Sequence, residues 1–187
     1  MPDSDITKNA LASALMALME DTPIEKINVG DICQRCGMNR KSFYYHFKDK
    51  YDLINWIFDS ELLTLAQATD HITGYEGRWS VAKMCCASLY ENRNFYRKAI
   101  LVKGQNSLAE HLRDQILPRV EERIVMLVGS VASEPFVVNF FVDAVLGAVA
   151  RWLISDAPDP PDMFLSKLRL LIESSATAIH QQLGSDT

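Results

Sequence analysis

The sequence predicts an all-α protein, and three observations lead to this fold class. Apolar residues recur every three or four positions along most of the chain, which is the spacing of one helix face. No segment alternates apolar and polar residues as a half-buried strand does. Only seven prolines and eight glycines interrupt the 187 residues, so long helices can form. The hydrophobic fraction of 48% and charged fraction of 23% are typical of a globular protein with a buried core.

The first part of the chain predicts one long helix followed by short ones. An apolar stripe over residues 5–20 predicts the first helix. Asn28 is suited to cap a second helix, and Asp31 stands where it would complete a capping box. Gly37 follows at a position suited to the left-handed conformation that closes a helix. Asn39 can then cap a third helix.

The third helix, predicted over residues 40–47, divides its side chains between two faces. Phe43 and Phe47 lie four residues apart and share one side of the helix. We expect them to pack inward with Ile32 and Cys36. The side chains left to point outward or sideways are those of Arg40, Lys41, Ser42, Tyr44, Tyr45 and His46.

Further helices predict a division into two domains. The stretch 74–77 contains two glycines and is predicted as a boundary between helices. The linker DAPDPPD at residues 156–162 cannot be helical, because it contains three prolines. We expect a helix-turn-helix domain over residues 1–58 and a helical domain over residues 59–187. The later helices are predicted from residue 49 or 50 onward and over 79–90, 94–102, 108–128, 136–155 and 162–183, with a break at 129–135.

Positive charge is concentrated around the third helix, although the chain as a whole is acidic. The formal net charge of −5 disfavours binding to nucleic acid through overall charge. Residues 35–50 nevertheless hold five cations against one carboxylate, a local charge of +4. Tyrosines beside cations suit phosphate oxygens and thymine methyls in a DNA major groove. Lys48 and Lys50 flank the start of the next helix, where the dipole also favours a phosphate. The alternative is an ordinary solvated surface.

Residues 6–58 resemble the DNA-binding domain of the TetR family of bacterial transcription regulators. The segment INVGDICQRCGMNRKSFYYHFKDKYDLI is similar to the family pattern T-V-x-x-I-A-x-x-A-G-V-S-x-x-T-F-Y-x-H-F-x-x-K-x-x-L. Cys33 and Cys36 replace the usual alanines, and Met38-Asn39 replace Val-Ser. The resemblance implies that Lys50 contacts a phosphate. It implies recognition of DNA by Arg40, Lys41, Ser42, Tyr44, Tyr45 and His46.

The layout of the C-terminal part is similar to that family's ligand-binding and dimerisation domain. The resemblance implies control by a small-molecule effector, with a protein coactivator as the alternative. The segment YENRNFYRKAILVKGQNSL is also similar to regulators of dihydroxyacetone kinase operons. We expect repression of transcription, although the sequence leaves activation open because the direction depends on where the operator lies.

The last two helices predict self-association. Residues 136–155 and 162–183 carry more apolar surface than one small domain can cover. We therefore expect a homodimer with a four-helix contact across a two-fold axis; the alternative is a monomer whose last helices complete its own core. A two-fold dimer predicts a palindromic operator in double-stranded DNA.

Motifs of other functional classes were not found. The sequence has no HExxH, GxSxG or phosphate-binding loop, so we expect neither an enzyme nor a cofactor. Cys33 and Cys36 lack the second pair of ligands that structural zinc requires, so we expect packing thiols and no metal site. The role of Cys85 and Cys86 is left open.

We expect a cytoplasmic protein without a membrane span. The first residues after Met1 show no basic and apolar leader. The apolar stretch 136–154 carries Asn139, Asp143 and Arg151, and a charge at the centre of a bilayer costs roughly 2.5–3.5 kcal/mol. This stretch is therefore predicted to be a helix buried in protein.

Overall fold

The computed structural model describes residues 2–68, 74–104, 106–128 and 135–183, and within these ranges all regular structure is helical. The all-α prediction is therefore confirmed. A short 3₁₀ turn, Ile24–Lys26, separates the first two helices. The α-helices are α1 (Pro2–Asp21), α2 (Val29–Arg35), α3 (Arg40–His46), α4 (Lys50–Ala68), α5 (Gly74–Glu91), α6 (Arg93–Ala99), α7 (Leu108–Val128), α8 (Pro135–Ile154) and α9 (Pro161–Leu183).

Most helix bounds lie within a few residues of the predicted ones, but the boundary at residues 74–77 is wrong. Helix α5 begins at Gly74 and runs through this stretch. A glycine inside a helix costs about 1 kcal/mol relative to alanine, which packing can outweigh. Gly77 is buried within this helix. The predicted break at 129–135 lies outside the described residues, except at Pro135, where α8 begins.

Residues 1–108 form one compact unit. In it, α1 packs against α2, α4 and α6, and α4 packs against α5. Burying one large apolar side chain contributes roughly 1.5–3 kcal/mol. The unit extends past residue 58 because α6 packs on α1. The assignment of separate functions to residues 1–58 and 59–187 stays a prediction. The most deeply buried side chains of this first unit include Leu11, Leu15 and Met19 from α1, Ile32 from α2, Phe43 from α3, Leu53 and Ile54 from α4, and Tyr96 from α6.

Residues 109–187 form the second compact unit, in which α8 packs against α9. The Trp152 ring stacks on Phe164, with centroids 4.4 Å apart and an interplanar angle of 5°. The Trp152 Nε1–H donates to the Asp159 carbonyl oxygen at 2.8 Å, which ties α8 to the linker before α9. Residues 156–160 of the linker are non-helical, as its prolines predict, and Pro161 begins α9.

Helix α8 is long and apolar enough to cross a bilayer by length and composition, the one such helix in the described part of the chain. A single helix of this kind is weak evidence, because the core helix of a soluble protein passes the same test. Two polar side chains on α8 are engaged within the second unit. Asp143 pairs with Arg113 on α7, and Asn139 Oδ1 accepts from Arg113 Nη2 at 2.8 Å.

Candidate DNA-binding surface

Reciprocal hydrogen bonds fix the start of α2. The Asn28 Oδ1 atom accepts from the Asp31 backbone N–H at 3.2 Å, and the Asn28 N–H donates to Asp31 Oδ2 at 2.8 Å. The predicted capping box is confirmed. Beyond the end of α2, Gly37 has a φ of +69°, a left-handed conformation that glycine adopts without strain. Local chemistry thus sets the turn between α2 and α3.

A second cap and two buried rings fix α3. The Asn39 Oδ1 atom accepts from the Ser42 backbone N–H at 2.9 Å, which confirms the predicted cap. Phe43 is fully buried and Phe47 is 4% exposed, and their ring centroids lie 5.8 Å apart. The Phe47 ring also meets the Trp56 ring of α4 at 5.7 Å. Because this inner face is fixed, the direction of the outer face follows.

The outer face of α3 exposes two tyrosines and two cations, which we call the α3 surface: Arg40, Lys41, Tyr44 and Tyr45. The exposed fraction of Tyr45 is 84% and that of Tyr44 is 58%, while Arg40 and Lys41 are exposed as well. Large aromatic side chains gain free energy when they are covered. Two of them left in water on a capped, well-packed helix therefore mark a surface for a partner.

Ser42 and His46 lie at the edges of the α3 surface and are half-buried. The Ser42 hydroxyl donates to Asn39 Oδ1 at 3.3 Å, so it supports the cap. The His46 ring meets the edge of Tyr45, with centroids 4.9 Å apart. The sequence predicted that both residues point outward or sideways, and the structure places His46 beside Tyr45 and Ser42 beside Asn39.

An open groove of about 450 Å³ lies between the starts of α2 and α3. A Cβ atom built on Gly30 would stand 2.6 Å from Arg40 Nη2 and 2.8 Å from Asn28 Oδ1. Glycine at this position therefore leaves room for the Arg40 guanidinium beside the capping box. The groove is lined by Asn28, Gly30, Asp31, Cys33, Gln34, Met38, Asn39 and Arg40.

Carboxylates occupy the start of α4, where sequence reasoning expected a phosphate. Asp49 Oδ1 accepts from the backbone N–H groups of Tyr51 and Asp52, both at 2.8 Å. Asp52 Oδ2 accepts from the Lys48 backbone N–H at 2.9 Å. These acids already complement the positive end of the helix dipole. The exposed Lys48 ammonium is the cation at this helix start that extends into water.

Lys50 is placed differently from the prediction that it contacts a phosphate. Its Nζ atom donates to the carbonyl oxygens of Ile24 at 2.6 Å, Ile27 at 2.7 Å and Glu25 at 3.4 Å. An ammonium has three N–H donors, so a phosphate would have to displace a carbonyl. The phosphate contact of Lys50 stays a prediction. One sequence signal pointed to another role, because a cation in the first turn of a helix opposes its dipole.

The cysteines of α2 differ in burial, whereas both were expected to face the core. Cys33 is 3% exposed, and burial, with Cys36 nearby, raises the pKa of its thiol. Cys36 is only half-buried because it caps the end of α2, and its Sγ donates to the Ile32 carbonyl oxygen at 3.3 Å. No group of three potential metal ligands occurs among the described residues.

A second exposed surface lies on the last two helices, and we call it the α8–α9 surface. It consists of apolar side chains, and the neighbouring cations Lys167 and Arg169 are paired with Asp159 and Glu173. The exposed fraction reaches 80% for Phe136 and 65% for Leu170. Apolar side chains exposed along two packed helices favour contact with another apolar surface. Its members are Phe136, Phe140, Met163, Leu170 and Leu171.

Comparison with protein families and with a curated protein points to transcription regulation. Residues 11–57 match the family described as bacterial regulatory proteins, tetR family, and residues 80–174 match the family described as transcriptional regulator C-terminal region. The HTH-type dhaKLM operon transcriptional activator DhaS of Lactococcus lactis subsp. lactis (strain IL1403) is 29% identical over 102 residues. The matched stretch covers 54% of this chain and 53% of that relative, about half of each.

Solved structures share the fold over 92% of this chain. The dihydroxyacetone kinase operon activator DhaS has a TM-score of 0.61 and 20% identity, with 97% of that chain covered. A TetR transcriptional regulator from Streptococcus agalactiae 2603V has a TM-score of 0.70, 17% identity and 96% coverage. NalD, the secondary repressor of the MexAB-OprM multidrug efflux pump in Pseudomonas aeruginosa, has a TM-score of 0.64 and 16% identity, with 96% of that chain covered. At these identities, the likeness concerns the fold alone.

Proposed function

Because the chain belongs to the TetR family of bacterial regulatory proteins, we propose that it binds a palindromic operator as a homodimer through the α3 surface. Family membership makes it a DNA-binding transcriptional regulator and not an enzyme. It acts in the cytoplasm, where its DNA lies. The observation that carries the proposal is the exposure of Tyr44 and Tyr45 on a helix whose opposite face is fully packed.

The proposed contacts divide according to chemistry. Arg40 and Lys41 supply charged donors to phosphates or to guanine edges, which present acceptors in the major groove. Tyr44 and Tyr45 supply hydroxyl groups for phosphates and ring surface for thymine methyls. Lys48 adds a phosphate contact beside the start of α4. Ser42 and His46 complete the edges of the surface, and the role of Lys50 is considered separately below.

The α8–α9 surface supports the dimer in this proposal. Its exposed apolar side chains are covered if the same surface of a second copy packs against it. Ala144 is a small exposed residue on α8, and small residues allow two helices to approach closely. Two-fold symmetry then presents two α3 surfaces to two half-sites, so the operator is palindromic.

The regulated genes and the signal are proposed from the relatives. DhaS is named as an activator of the dhaKLM operon, and we propose a dihydroxyacetone kinase operon as the first target to test. A small molecule bound in the C-terminal region is the proposed signal, and a protein coactivator is the alternative. A rise in melting temperature with a metabolite such as dihydroxyacetone supports the first, and co-purification of a second protein supports the second.

The proposal is tested by fluorescence anisotropy with labelled duplexes. The duplexes are taken from upstream of the chain's own gene and from upstream of dihydroxyacetone kinase genes in the same genome. We expect dissociation constants on the order of 10⁻⁸ M or tighter for a specific site at physiological salt. A scrambled duplex of the same composition serves as the control for nonspecific binding.

A matched pair of variants tests the surface itself. Tyr45→Ala removes the most exposed tyrosine of the α3 surface, whereas Tyr90→Ala removes a tyrosine that is 37% exposed on α5. We expect only Tyr45→Ala to weaken specific binding. Equal affinity of the wild type for upstream and scrambled duplexes, or an unchanged affinity of Tyr45→Ala, would contradict the proposed function.

A further inference from the structure

Two lysines from distant parts of the chain bind the last turn of α1 and the segment that joins α1 to α2. The Lys98 Nζ atom, on α6, donates to the carbonyl oxygens of Met19 at 2.5 Å and Glu20 at 2.6 Å. The Lys50 Nζ atom, on α4, donates to carbonyl oxygens of the 3₁₀ turn Ile24–Lys26 and of Ile27, as described above. We call these two ammonium groups and their carbonyl partners the lysine clamp.

The end of α1 lacks a cation of its own. Its last turn, residues 18–21, contains no basic residue and ends with Glu20 and Asp21. The last carbonyls of a helix have no partner within the helix, and acids at this end oppose its dipole. Lys98 therefore supplies from α6 both the hydrogen-bond donors and the charge that the α1 sequence omits.

Helix α6 is itself bonded to α4 and α5 through one carboxylate. Glu61 Oε2, on α4, accepts from the Tyr96 hydroxyl at 2.8 Å and from the Ser88 hydroxyl at 2.7 Å. Glu61 Oε1 accepts from Asn92 Nδ2 at 3.2 Å. Burial and the Glu61 charge hold the pKa of Tyr96 well above its usual range, so its hydroxyl stays a donor. Glu61 thus ties α6, which carries Lys98, to α4, which carries Lys50.

We propose that the lysine clamp positions the helix-turn-helix and that Lys98 controls DNA affinity without touching DNA. The clamp holds residues 19–27, and Ile27 directly precedes the Asn28 cap of α2. The placement of α4 and α6 therefore sets how the chain enters the capping box. Lys98 and Lys50 are positioning residues in this account, which rests on the proposed DNA-binding function for its affinity effect.

The test uses the full-length chain with Lys98→Met, which keeps side-chain length but removes charge and donors. Lys98→Arg serves as the conservative variant, and Lys103→Met removes an exposed lysine elsewhere. Hydrogen exchange of the free protein is measured at the amides of residues 22–32, with those of α8 as an internal reference. We expect exchange about tenfold faster at 22–32 in Lys98→Met only, with α8 unchanged.

Binding to the upstream duplex is measured on the same variants over a range of salt concentrations. Lys98→Met is expected to weaken binding about tenfold with an unchanged salt slope, because the DNA phosphates keep all their partners. Lys98→Arg should restore affinity. If Lys98→Met exchanges at residues 22–32 as slowly as the wild type, the lysine clamp does not exist. If its exchange is faster but its affinity for DNA is unchanged, the clamp does not position the helix-turn-helix. If the wild type binds no DNA, the proposed function fails, while the exchange result still decides whether the clamp exists.

Lys50→Met distinguishes the clamp from the phosphate contact implied by the family resemblance. A clamp role predicts faster exchange at residues 22–32 and an unchanged salt slope. A phosphate role predicts the reverse, with wild-type exchange and a flatter slope. A flatter slope with wild-type exchange would remove Lys50 from the clamp.

Discussion

The α3 surface and the α8–α9 surface both leave several large side chains in water, and they differ in what fixes them. The α3 surface lies on a helix of seven residues whose start is capped and whose inner face is fixed by Phe43 and Phe47. The α8–α9 surface lies on helices of 20 and 23 residues, where large apolar side chains are exposed beside charged ones such as Asp143 and Lys167. The first combines tyrosines with cations, which suits a polar, reversible partner such as DNA. The second suits an apolar and longer-lived partner such as a second copy.

The difference teaches that exposure alone does not identify a partner. A side chain such as Tyr45 keeps a hydroxyl for hydrogen bonding when it is covered, so it can meet a phosphate or a base edge. A side chain such as Leu170 gains only from the removal of water, so it requires a matching apolar surface. Substitutions on each surface can therefore test this distinction.

Removing the support beneath the α3 surface should affect stability far more than removing the surface. Phe43→Ala deletes a fully buried ring, and we expect a loss of about 3–5 kcal/mol in the free energy of unfolding. Tyr45→Ala deletes a ring that is 84% exposed, and we expect a change within about 0.5 kcal/mol. Urea denaturation followed by circular dichroism measures both. Similar losses for the two variants would mean that the two faces of α3 are not distinct.

Placing a charge on the α8–α9 surface should dissociate the proposed dimer. Leu170→Glu puts a carboxylate where a two-fold contact brings two copies together, so the charge is introduced twice. We expect the dimer to weaken by roughly a hundredfold, because buried unpaired charges are costly. Sedimentation velocity measures the change. Leu101→Glu is the matched control, since Leu101 is 58% exposed but lies just after α6. A wild-type monomer, or a Leu170→Glu dimer as tight as wild type, would exclude this surface as the interface.

Loss of the α3 cap should moderately lower the stability of the protein and also weaken DNA binding. Asn39→Ala removes the acceptor for the Ser42 N–H, and we expect about 1 kcal/mol less stability. Asn39→Asp keeps a capping oxygen and should retain most of the stability of the wild type. Urea denaturation gives the stability, and anisotropy with the upstream duplex gives the affinity. If alanine and aspartate behave alike, the cap does not hold the α3 surface in place.

The sequence predicted the region around α2 and α3 well because its determinants are local. Asn28, Gly37 and Asn39 each impose a backbone geometry on their immediate neighbours, and the spacing of Phe43 and Phe47 selects the inner face. These signals require no knowledge of distant parts of the chain. The outward direction of the α3 surface could therefore be inferred before any coordinates were known.

The features that the sequence did not predict depend on distant contacts. Lys50 looked like a free cation at a helix start, but its partners are carbonyls more than twenty residues earlier in the chain. The role of Lys98 likewise depends on how α6 packs against α1. The stretch 74–77 looked like a boundary because glycine disfavours helices locally, whereas the structure has it at the start of α5. Composition and spacing do not encode such long-range partners.

The smallest predicted effect measures how many copies of the α3 surface contact DNA. Lys41→Met removes the charge of an exposed side chain, so stability should stay unchanged. If Lys41 contacts a phosphate, the slope of log affinity against log salt falls by roughly 0.9 for each phosphate that is no longer neutralised. A dimer on a palindrome leaves two such phosphates without their lysine, so the slope should fall by roughly twice that amount.

The slope of log affinity against log salt therefore tests both the α3 surface and the dimer proposed to form through the α8–α9 surface. Anisotropy titrations of wild type, Lys41→Met and the exposed control Lys103→Met over a range of salt concentrations give the three slopes. A fall of only about 0.9 would mean that one α3 surface contacts DNA, and the α8–α9 surface would then need another partner. An unchanged slope would remove Lys41 from the phosphate contacts, whereas a fall of twice that size requires the symmetric pair.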